Sequence, residues 1–311
     1  MPEIATRDGY GTGLLKVGKN PNIVALDADL SDSTKSIEFG KAFPERFFNV
    51  GIAEQNMMSI AAGLAASGKT VFASSFAIFS ERGFEHFRNT VARPNLNVKL
   101  CGSHAGFKTG EDGSSAQCIE DFSVYRSLPN VAVISPADAV ETEKAVEFLA
   151  SYKGPSYMRT TRAKVPVIFD ENYKFELGKG VVLKKGKDAV VFATGPLVHE
   201  SLKAAEELQK EGINIYVVNI HTIKPIDESL VIKLAKETKA VVSAEDHNII
   251  GGLGSAIAEV LCKNYPAAME MVGVKDTFGE SGTPEELYEK YGLTHKHIIK
   301  AVKSAIKRRP K

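Results

Sequence analysis

The stretch FNVGIAEQNMM, residues 48–58, contains two different apolar spacings, and it decides the fold of the first half of the chain. Residues 48–52 are apolar and β-branched at their core, which predicts a short buried strand. From Glu54 onward, apolar residues recur at spacings of three and four, which predicts a helix that ends just before Gly68. The sequence therefore places Glu54 in the first turn of a largely apolar helix that follows a strand.

Glu54 has two interpretations at this point. Acidic residues are common in the first helical turn because they complement the exposed amide protons, and spacing alone favours this structural role. In the other interpretation, Ala53, Met57 and Met58 keep the side chain dry. Burial without a cation raises the pKa of a carboxyl group, which can then hold and return a proton near neutrality.

The length, net charge and cysteine spacing of the chain limit the classes of protein to which it can belong. At 311 residues the chain is longer than most single domains, which predicts two. A formal net charge of +1 argues against a nucleic-acid-binding protein. Cys101, Cys118 and Cys262 lack CxxC spacing, so they suggest free thiols in a reducing cytoplasm. The sequence has no apolar signal core at its start and no apolar run of membrane-spanning length, so we expect a cytoplasmic protein that does not contact a membrane.

Apolar runs alternate with amphipathic segments along the rest of the chain, which predicts an α/β fold with two doubly wound open sheets. The predicted strands of the first half cover residues 22–27, 70–75, 97–101 and 131–136, and its predicted helices cover residues 5–17, 76–88 and 138–151. We expect a first domain over residues 1–165, a polar linker over 166–178, and a second domain over 179–311.

The segment Gly51-Ile52-Ala53-Glu54-Gln55 resembles the glycine-isoleucine-x-glutamate signature of thiamine diphosphate enzymes of the transketolase family. In that family the glutamate is hydrogen-bonded to N1′ of the cofactor's aminopyrimidine, and it promotes the imino tautomer that takes the proton from thiazolium C2. The resemblance implies a catalytic Glu54. It also implies a pyrimidine-binding domain followed by a transketolase C-terminal domain.

Phe76, Phe79 and Arg82 lie on one edge of the predicted helix over residues 76–88. Core packing alone could explain the aromatic residues. The spacing also resembles the aromatic-x-x-Phe-x-x-Tyr/Arg pattern that the family carries at this point. The resemblance implies that Phe79 stacks on the aminopyrimidine, and that Phe76 and Arg82 also belong to the cofactor site.

Residues 103–130 carry a second resemblance. A histidine, a Gly-Glu-Asp-Gly turn and an Arg-Ser-Leu-Pro-Asn segment follow one another as in transketolase, although polar residues on such a loop often only stabilise turns. The resemblance implies that His104 is catalytic and contacts a substrate phosphate, and that Asp112 contacts a sugar hydroxyl. Arg7, Ser33 and Arg162 match further family positions and would complete a phosphate-binding cluster.

Two features leave alternatives open. Many family members carry a His or Gln where this chain has Ala116, so either Gln117 substitutes in a shifted register or the donor preference differs. The glycine-rich segment 251–256 precedes a predicted helix and could bind phosphate, but it lacks a Walker lysine and a full GxGxxG. The family resemblance makes it a structural turn.

The resemblance covers nearly all of this chain but only half of a transketolase. A thiamine diphosphate site of this family also needs a pyrophosphate domain, and the segment Gly110-Glu111-Asp112-Gly113 is not the metal motif of such a domain. We therefore expect a split enzyme in which thiamine diphosphate lies between this chain and a separate N-terminal subunit. That subunit would hold most of the Mg²⁺ (or Ca²⁺) ligation, and two copies of each chain would assemble.

The implied reaction is the transfer of a two-carbon ketol unit between sugar phosphates, as in the pentose phosphate pathway. A synthase of the deoxyxylulose phosphate type is an alternative, which Arg82 favours. A β-type subunit of a 2-oxo acid dehydrogenase shares the glutamate, and a non-catalytic assembly subunit is the alternative that Ala116 keeps open.

Overall fold

Two mixed sheets and a small two-stranded ribbon organise the chain, and helices cover both faces of each large sheet. The computed structural model describes residues 2–309. Its strands are β1 (Glu3–Ala5), β2 (Ile23–Asp27), β3 (Phe47–Asn49), β4 (Thr70–Phe76), β5 (Val98–Ser103), β6 (Ala132–Ile134), β7 (Ser156–Arg159), β8 (Lys164–Pro166), β9 (Val181–Lys184), β10 (Ala189–Ala193), β11 (Ile215–Asn219), β12 (Thr222–Lys224), β13 (Ala240–Asn248) and β14 (Ala268–Val274).

The helices alternate with these strands. They are α1 (Thr6–Val17), α2 (Ser31–Thr34), α3 (Ile37–Ala42), α4 (Glu54–Ala66), α5 (Ala77–Ser80), α6 (Phe84–His86), α7 (Asp121–Arg126), α8 (Ala139–Ser151), α9 (Leu197–Lys210), α10 (Glu228–Thr238), α11 (Leu253–Asn264), α12 (Pro284–Lys290) and α13 (His295–Arg308). None of the helices within residues 2–309 combines the length and the apolar composition that crossing a membrane requires.

The larger sheet brings three strand ends to one edge. Its order is β12-β6-β7-β5-β4-β2-β3, and all neighbours are parallel except β12 and β6. Ligands of such sheets bind beyond the carboxyl ends of the parallel strands. Glu54 follows β3, Phe79 follows β4 and His104 follows β5, so the topology places all three at that edge.

The smaller sheet has the order β14-β13-β10-β11-β9, with only β9 antiparallel to its neighbour. Strand β10, helix α9 and strand β11 form a parallel crossover. The predicted fold class, α/β with two doubly wound open sheets, is confirmed.

Apolar side chains fill both faces of the larger sheet. One face packs against α1, α3 and α8, with Tyr10, Phe39 and Leu149 buried. The other packs against α4, and its cluster continues through Phe192 to residues of α10 and α11. Strand β12, although it comes from the second half of the chain, pairs with β6 of the first sheet. The domain boundaries at 1–165, 166–178 and 179–311 stay a prediction.

The prediction of a buried strand over residues 48–52 is wrong. The strand there is β3, which ends at Asn49, and it lies at the outer edge of the sheet. Phe48 is 45% exposed and Ile52 is 75% exposed. An edge strand has a neighbour on one side only, and apolar spacing in the sequence does not reveal whether a strand occupies an edge.

The single helix predicted over residues 76–88 is also wrong. Strand β4 continues to Phe76, and the chain then passes through α5, a 3₁₀ turn and α6 into a π-helical segment, residues 87–92. The segment packs closely on the start of α4. A Cβ atom on Gly83 would lie 2.8 Å from Met58 Cγ and 3.0 Å from the Glu54 carbonyl oxygen. Because this contact leaves no room for a side chain, residue 83 is a glycine at the point where the 3₁₀ turn gives way to α6.

Asp138 holds the predicted linker to the first sheet. Its side chain caps α8 by accepting a hydrogen bond from the Glu141 amide at 2.8 Å. The same carboxylate accepts the amide of Ile168 at 2.5 Å and that of Phe169 at 2.8 Å. One buried carboxylate therefore satisfies three backbone donors from two segments.

We expect Asp138→Ala to lower the free energy of unfolding by about 3 kcal/mol, because it leaves buried amides without an acceptor and removes a helix cap. Urea denaturation measures the change. Asp170→Ala is the control: this carboxylate is exposed and lies in the same segment. An equal loss in both variants would contradict the role given to Asp138.

Candidate active site

The Glu54 carboxylate lies at the first turn of α4 and is 4% exposed. Within residues 2–309 no donor lies at hydrogen-bond distance from it. The nearest charged atom is Arg82 Nη1, 3.9 Å from Glu54 Oε2. Met57 and Met58 are fully buried beside it, as the sequence suggested, but the expectation of a carboxylate without a cation is wrong because Arg82 accompanies it. The carboxylate can still accept a hydrogen bond from a ligand.

Glu54 faces a cleft of about 220 Å³ at the carboxyl edge of the larger sheet. Its lining residues come from three strand ends, and they are Ala28, Asp29, Leu30, Ile52, Glu54, Phe79 and Arg82. A partly exposed phenyl ring beside a buried carboxylate suits a flat heteroaromatic ligand that carries a hydrogen-bond donor.

Aromatic rings connect this cleft to His104. The Phe79 and Phe76 rings stack with centroids 5.5 Å apart and planes inclined by 8°. Phe76 stacks in turn on the His104 imidazole at 3.8 Å. On the outer side, the Arg82 guanidinium lies 5.3 Å from the Phe79 centroid. The three predicted cofactor-site residues and His104 therefore form one continuous stack.

His104 is 2% exposed and held at both ring nitrogens. Nδ1 lies 2.9 Å from Ser103 Oγ, and Nε2 lies 3.5 Å from Arg7 Nη1. Since a guanidinium only donates, Nε2 accepts and the proton is on Nδ1. Burial, reinforced by the charges of Arg7 and Arg162, lowers the pKa of His104 to about 3. The imidazole is therefore neutral at physiological pH.

The position of this proton determines whether His104 can donate a hydrogen bond to a phosphate, as the predicted contact requires. A neutral imidazole must donate from Nε2 to bind a phosphate oxygen, so the proton would have to move from Nδ1 to Nε2. The Ser103 hydroxyl can rotate to donate to Nδ1, which makes the second tautomer available. With the proton on Nδ1, His104 can instead accept a hydrogen bond at Nε2 from a hydroxyl group.

The other predicted substrate ligands gather around His104. Arg7 Nη1 donates to the carbonyl of Ser33 at 3.1 Å, so Ser33 contributes its backbone here. Arg162 Nη1 donates to Glu111 at 2.9 Å and lies 3.4 Å from Asp112. Arg7 Nε is buried and has no partner within the described part of the chain. Burial lowers the pKa of the Arg7 guanidinium, and an anionic ligand would relieve that cost.

Gln117 does not occupy the position that Ala116 leaves. Its side-chain amide donates to the carbonyls of Gly110 and Glu280, at 2.9 Å each. Both of its N–H groups are therefore used to join the loop to the second half of the chain. A Cβ on Gly279 would lie 2.0 Å from Gln117 Oε1, so the approach is close. These contacts give no support to a shifted register, and a changed donor preference stays a prediction.

In the glycine-rich segment before α11, two amides at the helix start already have a protein acceptor. The Glu245 carboxylate accepts the amides of Leu253 at 2.6 Å and Gly254 at 2.7 Å. This protein carboxylate already fills the helix N-terminus, which fits the interpretation as a structural turn.

Sequence reasoning missed a cluster formed by Glu81, Cys118 and Glu120. Their side-chain ligand atoms lie within 4.8 Å of one another. Burial, together with the charges of Glu120 and Asp121, raises the pKa of Glu81 to about 8. Glu81 lies far in sequence from its two partners, so spacing gave no signal. Cys101, Cys118 and Cys262 are free thiols, as predicted.

The buried Glu54 carboxylate beside Arg82, the aromatic stack and the cationic cluster together suit an enzyme site for a ring-bearing cofactor and an anionic substrate. The family described as transketolase, pyrimidine binding domain, matches residues 2–167, and that described as transketolase, C-terminal domain, matches residues 178–298. The chain belongs to the transketolase family and corresponds to its C-terminal section.

Individual relatives agree with this assignment. A Methanocaldococcus jannaschii protein provisionally described as a transketolase C-terminal section is 48% identical over 307 residues, covering 97% of this chain and 96% of that protein. A 6-deoxy-6-sulfo-D-fructose transketolase subunit from Clostridium sp. (strain MSTE9) is 43% identical, covering 97% of this chain and 95% of that protein. A split-gene transketolase solved as an inactive β4 tetramer matches with a TM-score of 0.93 and 50% identity, over 99% of this chain and 100% of that one.

We expect the His104 imidazole to stay neutral from pH 8 down to about pH 4, since its pKa in the folded chain is about 3. Between pH 6.5 and 3 the unfolded chain binds a proton that the folded chain does not, so this residue makes stability fall as pH falls. Its contribution approaches about 1.4 kcal/mol per pH unit.

Nitrogen-15 NMR of the imidazole measures this titration, and His104→Gln identifies the signal. Unfolding in urea at several pH values should show a shallower loss of stability on acidification in that variant. A His104 that titrates near pH 6.5 would contradict the proposed electrostatics.

Proposed function

We propose that this chain is the C-terminal subunit of a transketolase that moves a two-carbon ketol unit between phosphorylated sugars. The observation that carries the proposal is the buried Glu54 carboxylate, which accepts no hydrogen bond from any donor in residues 2–309 and faces a cleft walled by Phe79. Family membership supports the same conclusion.

The cleft suits the aminopyrimidine of thiamine diphosphate. Bound there, the cofactor supplies the carbon nucleophile that cleaves the carbon–carbon bond of a ketose. Glu54 accepts a hydrogen bond from ring nitrogen N1′ and holds the proton at that atom. Phe79 supports the ring through its face, and Arg82 orients the Glu54 carboxylate from 3.9 Å.

The cluster of Arg7, His104 and Arg162 binds the anionic end of the substrate. Arg7 offers a buried Nε that has no partner among residues 2–309, and Arg162 is part-exposed. The Asp112 carboxylate, which is paired with Arg162, can accept a hydrogen bond from a sugar hydroxyl. Ser33 provides the carbonyl that orients Arg7. Positioning of this kind can account for several kcal/mol of barrier lowering.

The anion need not be a phosphate. The name of the Clostridium relative specifies a sulfonated sugar, and a sulfonate presents a tetrahedral set of oxygens to the same arginines. We favour sugar phosphates of the pentose phosphate pathway. Ala116 stands where many family members carry a His or Gln that contacts the donor sugar, so a different donor preference is one consequence that we expect.

A separate N-terminal subunit completes the enzyme. It would hold the diphosphate through Mg²⁺ (or Ca²⁺), since this chain supplies the ring-binding half of the site. Phe48 and Ile52 are exposed apolar residues beside the cleft, and they suit a protein partner. We infer two copies of each chain in the assembly and a cytoplasmic location. The inactive β4 tetramer of the split-gene relative supports the need for a partner.

The alternative functions differ in what they require. A β-type subunit of a 2-oxo acid dehydrogenase has no use for a cationic cluster that binds sugar anions. A synthase of deoxyxylulose phosphate uses the same phosphate contacts, and ketol transfer without decarboxylation distinguishes the two. An assembly subunit would not need a buried carboxylate whose only partner is a cation 3.9 Å away within residues 2–309, because such burial is costly.

We expect Glu54→Gln to lower ketol transfer by the assembled enzyme about 10²- to 10⁴-fold, because a neutral amide cannot hold the ring proton. Thiamine diphosphate binding, followed by circular dichroism, should survive. Glu206→Gln, an exposed glutamate of α9, serves as the control and should retain activity. Full activity in Glu54→Gln would refute the proton role, and turnover by this chain alone would refute the split enzyme.

For the anion-binding cluster, Arg162→Ala should raise KM for a phosphorylated acceptor about tenfold, because it removes one charge-assisted hydrogen bond. An unphosphorylated acceptor should be affected less than threefold. Steady-state kinetics with phosphorylated, sulfonated and neutral sugars measure the difference. Arg308→Ala, at an exposed arginine of α13, is the matched control. Equal losses for charged and neutral acceptors would contradict the assignment.

A further inference from the structure

The loop that carries His104 has an unusual backbone. His104 itself has φ +58°, in the left-handed region that favours glycine, and Gly106 (φ +69°) and Gly110 (φ +74°) follow. A residue with a Cβ stays in this region only where surrounding contacts hold it. The contacts that hold this loop therefore determine where the His104 imidazole lies.

Four consecutive backbone amides of the loop have acceptors. Ala105 donates to the Thr160 carbonyl at 3.2 Å, and Gly106 donates to the Cys118 carbonyl at 2.7 Å. The next two amides donate to one side chain from the other half of the chain: Phe107 donates to Asp246 Oδ1 at 2.9 Å, and Lys108 donates to Asp246 Oδ2 at 3.3 Å.

Asp246 is itself firmly held. It lies in β13 and is 3% exposed, and its carboxylate also accepts the Tyr288 hydroxyl at 3.0 Å. Arg159 of the larger sheet donates to the Asp246 carbonyl at 3.1 Å. A Cβ on Gly106 would lie 2.3 Å from Asp246 Oδ2, so the loop backbone approaches the carboxylate as closely as glycine allows.

The Phe107 side chain, like the Phe107 amide, contacts the second half of the chain. Phe107 is fully buried in the core of the second half of the chain, and its ring lies 4.5 Å from that of Tyr291. The peptide after His104 is thus attached to the second half of the chain through both backbone and side chain.

We propose that Asp246 is a positioning residue for the loop that carries His104. It holds the amides of Phe107 and Lys108, and so fixes the position of the His104 imidazole relative to the substrate anion. The proposal rests on the function proposed for His104. It gives the C-terminal half of the chain an indirect part in substrate binding, although none of its residues up to 309 lines the cleft at Glu54. Asp246 acts through His104 and does not touch the substrate itself.

Asp246→Asn tests the proposal, because it keeps the shape of the side chain and replaces one accepting oxygen by a donor. Glu245→Gln is the matched control: Glu245 is the neighbouring residue, is fully buried, and also accepts two backbone amides, but those amides belong to α11. A general loss of packing would affect both variants alike.

Two readouts separate positioning from stability. Hydrogen exchange of the full chain should quicken about tenfold or more at residues 103–113 in Asp246→Asn, and not in Glu245→Gln. In the enzyme assembled with an N-terminal subunit, KM for a phosphorylated acceptor should rise about tenfold in Asp246→Asn, while kcat changes less than threefold. Should Asp246→Asn not fold, Tyr288→Phe removes one donor to the same carboxylate and should give a smaller change in the same direction.

Equal exchange of the loop in Asp246→Asn and Glu245→Gln would overturn the proposal, and so would a KM that stays unchanged in Asp246→Asn. If the unmodified chain and its partner show no ketol transfer, the proposed function fails. The exchange comparison then still decides whether Asp246 positions the loop, since it needs neither partner nor substrate.

Discussion

The rest of the structure depends on a buried carboxylate, that of Glu54, which no donor in the described part of the chain hydrogen-bonds. Removing such a group from water is unfavourable unless another group compensates. At Glu54 the compensation is incomplete: the first turn of α4 provides a favourable dipole, and Arg82 lies 3.9 Å away. A ligand that donates a hydrogen bond would supply the rest. Burial of the Glu54 carboxylate therefore costs folding free energy, and the same carboxylate gives the cleft affinity for a protonated ring nitrogen.

The topology of the larger sheet brings the remaining groups to this carboxylate. Because β3, β4 and β5 are parallel, their carboxyl ends lie on one edge, and the residues that follow them meet there. The stack of Phe79, Phe76 and His104 is the direct result. It places the ring-binding cleft and the anion-binding cluster side by side, which a reaction between a ring-bound nucleophile and an anionic sugar requires.

Local sequence signals predicted much of this arrangement. The apolar spacing after Glu54 predicted α4, and the continuous apolar run at residues 22–27 predicted β2. The family resemblance named residues that the structure does bring together around His104. It could not show that Ser33 would contribute a carbonyl, or that Arg162 would pair with Glu111 and Asp112.

The misses share a physical cause, which is that long-range packing overrides local pattern. Phe48 is apolar yet exposed because β3 is an edge strand, and Ile52 lies beyond the end of that strand. Residues 76–88 change winding because Gly83 packs against α4. The bond between Phe107 and Asp246 spans 139 positions of sequence, and no spacing rule reaches that far. Resemblance to a family locates such residues only where they belong to a recognised motif.

The most direct test of the central claim is a crystal structure of this chain assembled with its N-terminal partner, thiamine diphosphate and Mg²⁺. We predict a Glu54 carboxylate oxygen within about 3 Å of aminopyrimidine N1′, with the Phe79 ring against the face of the aminopyrimidine. A Glu54 side chain turned to solvent, or a cofactor ring bound away from Phe79, would contradict the account.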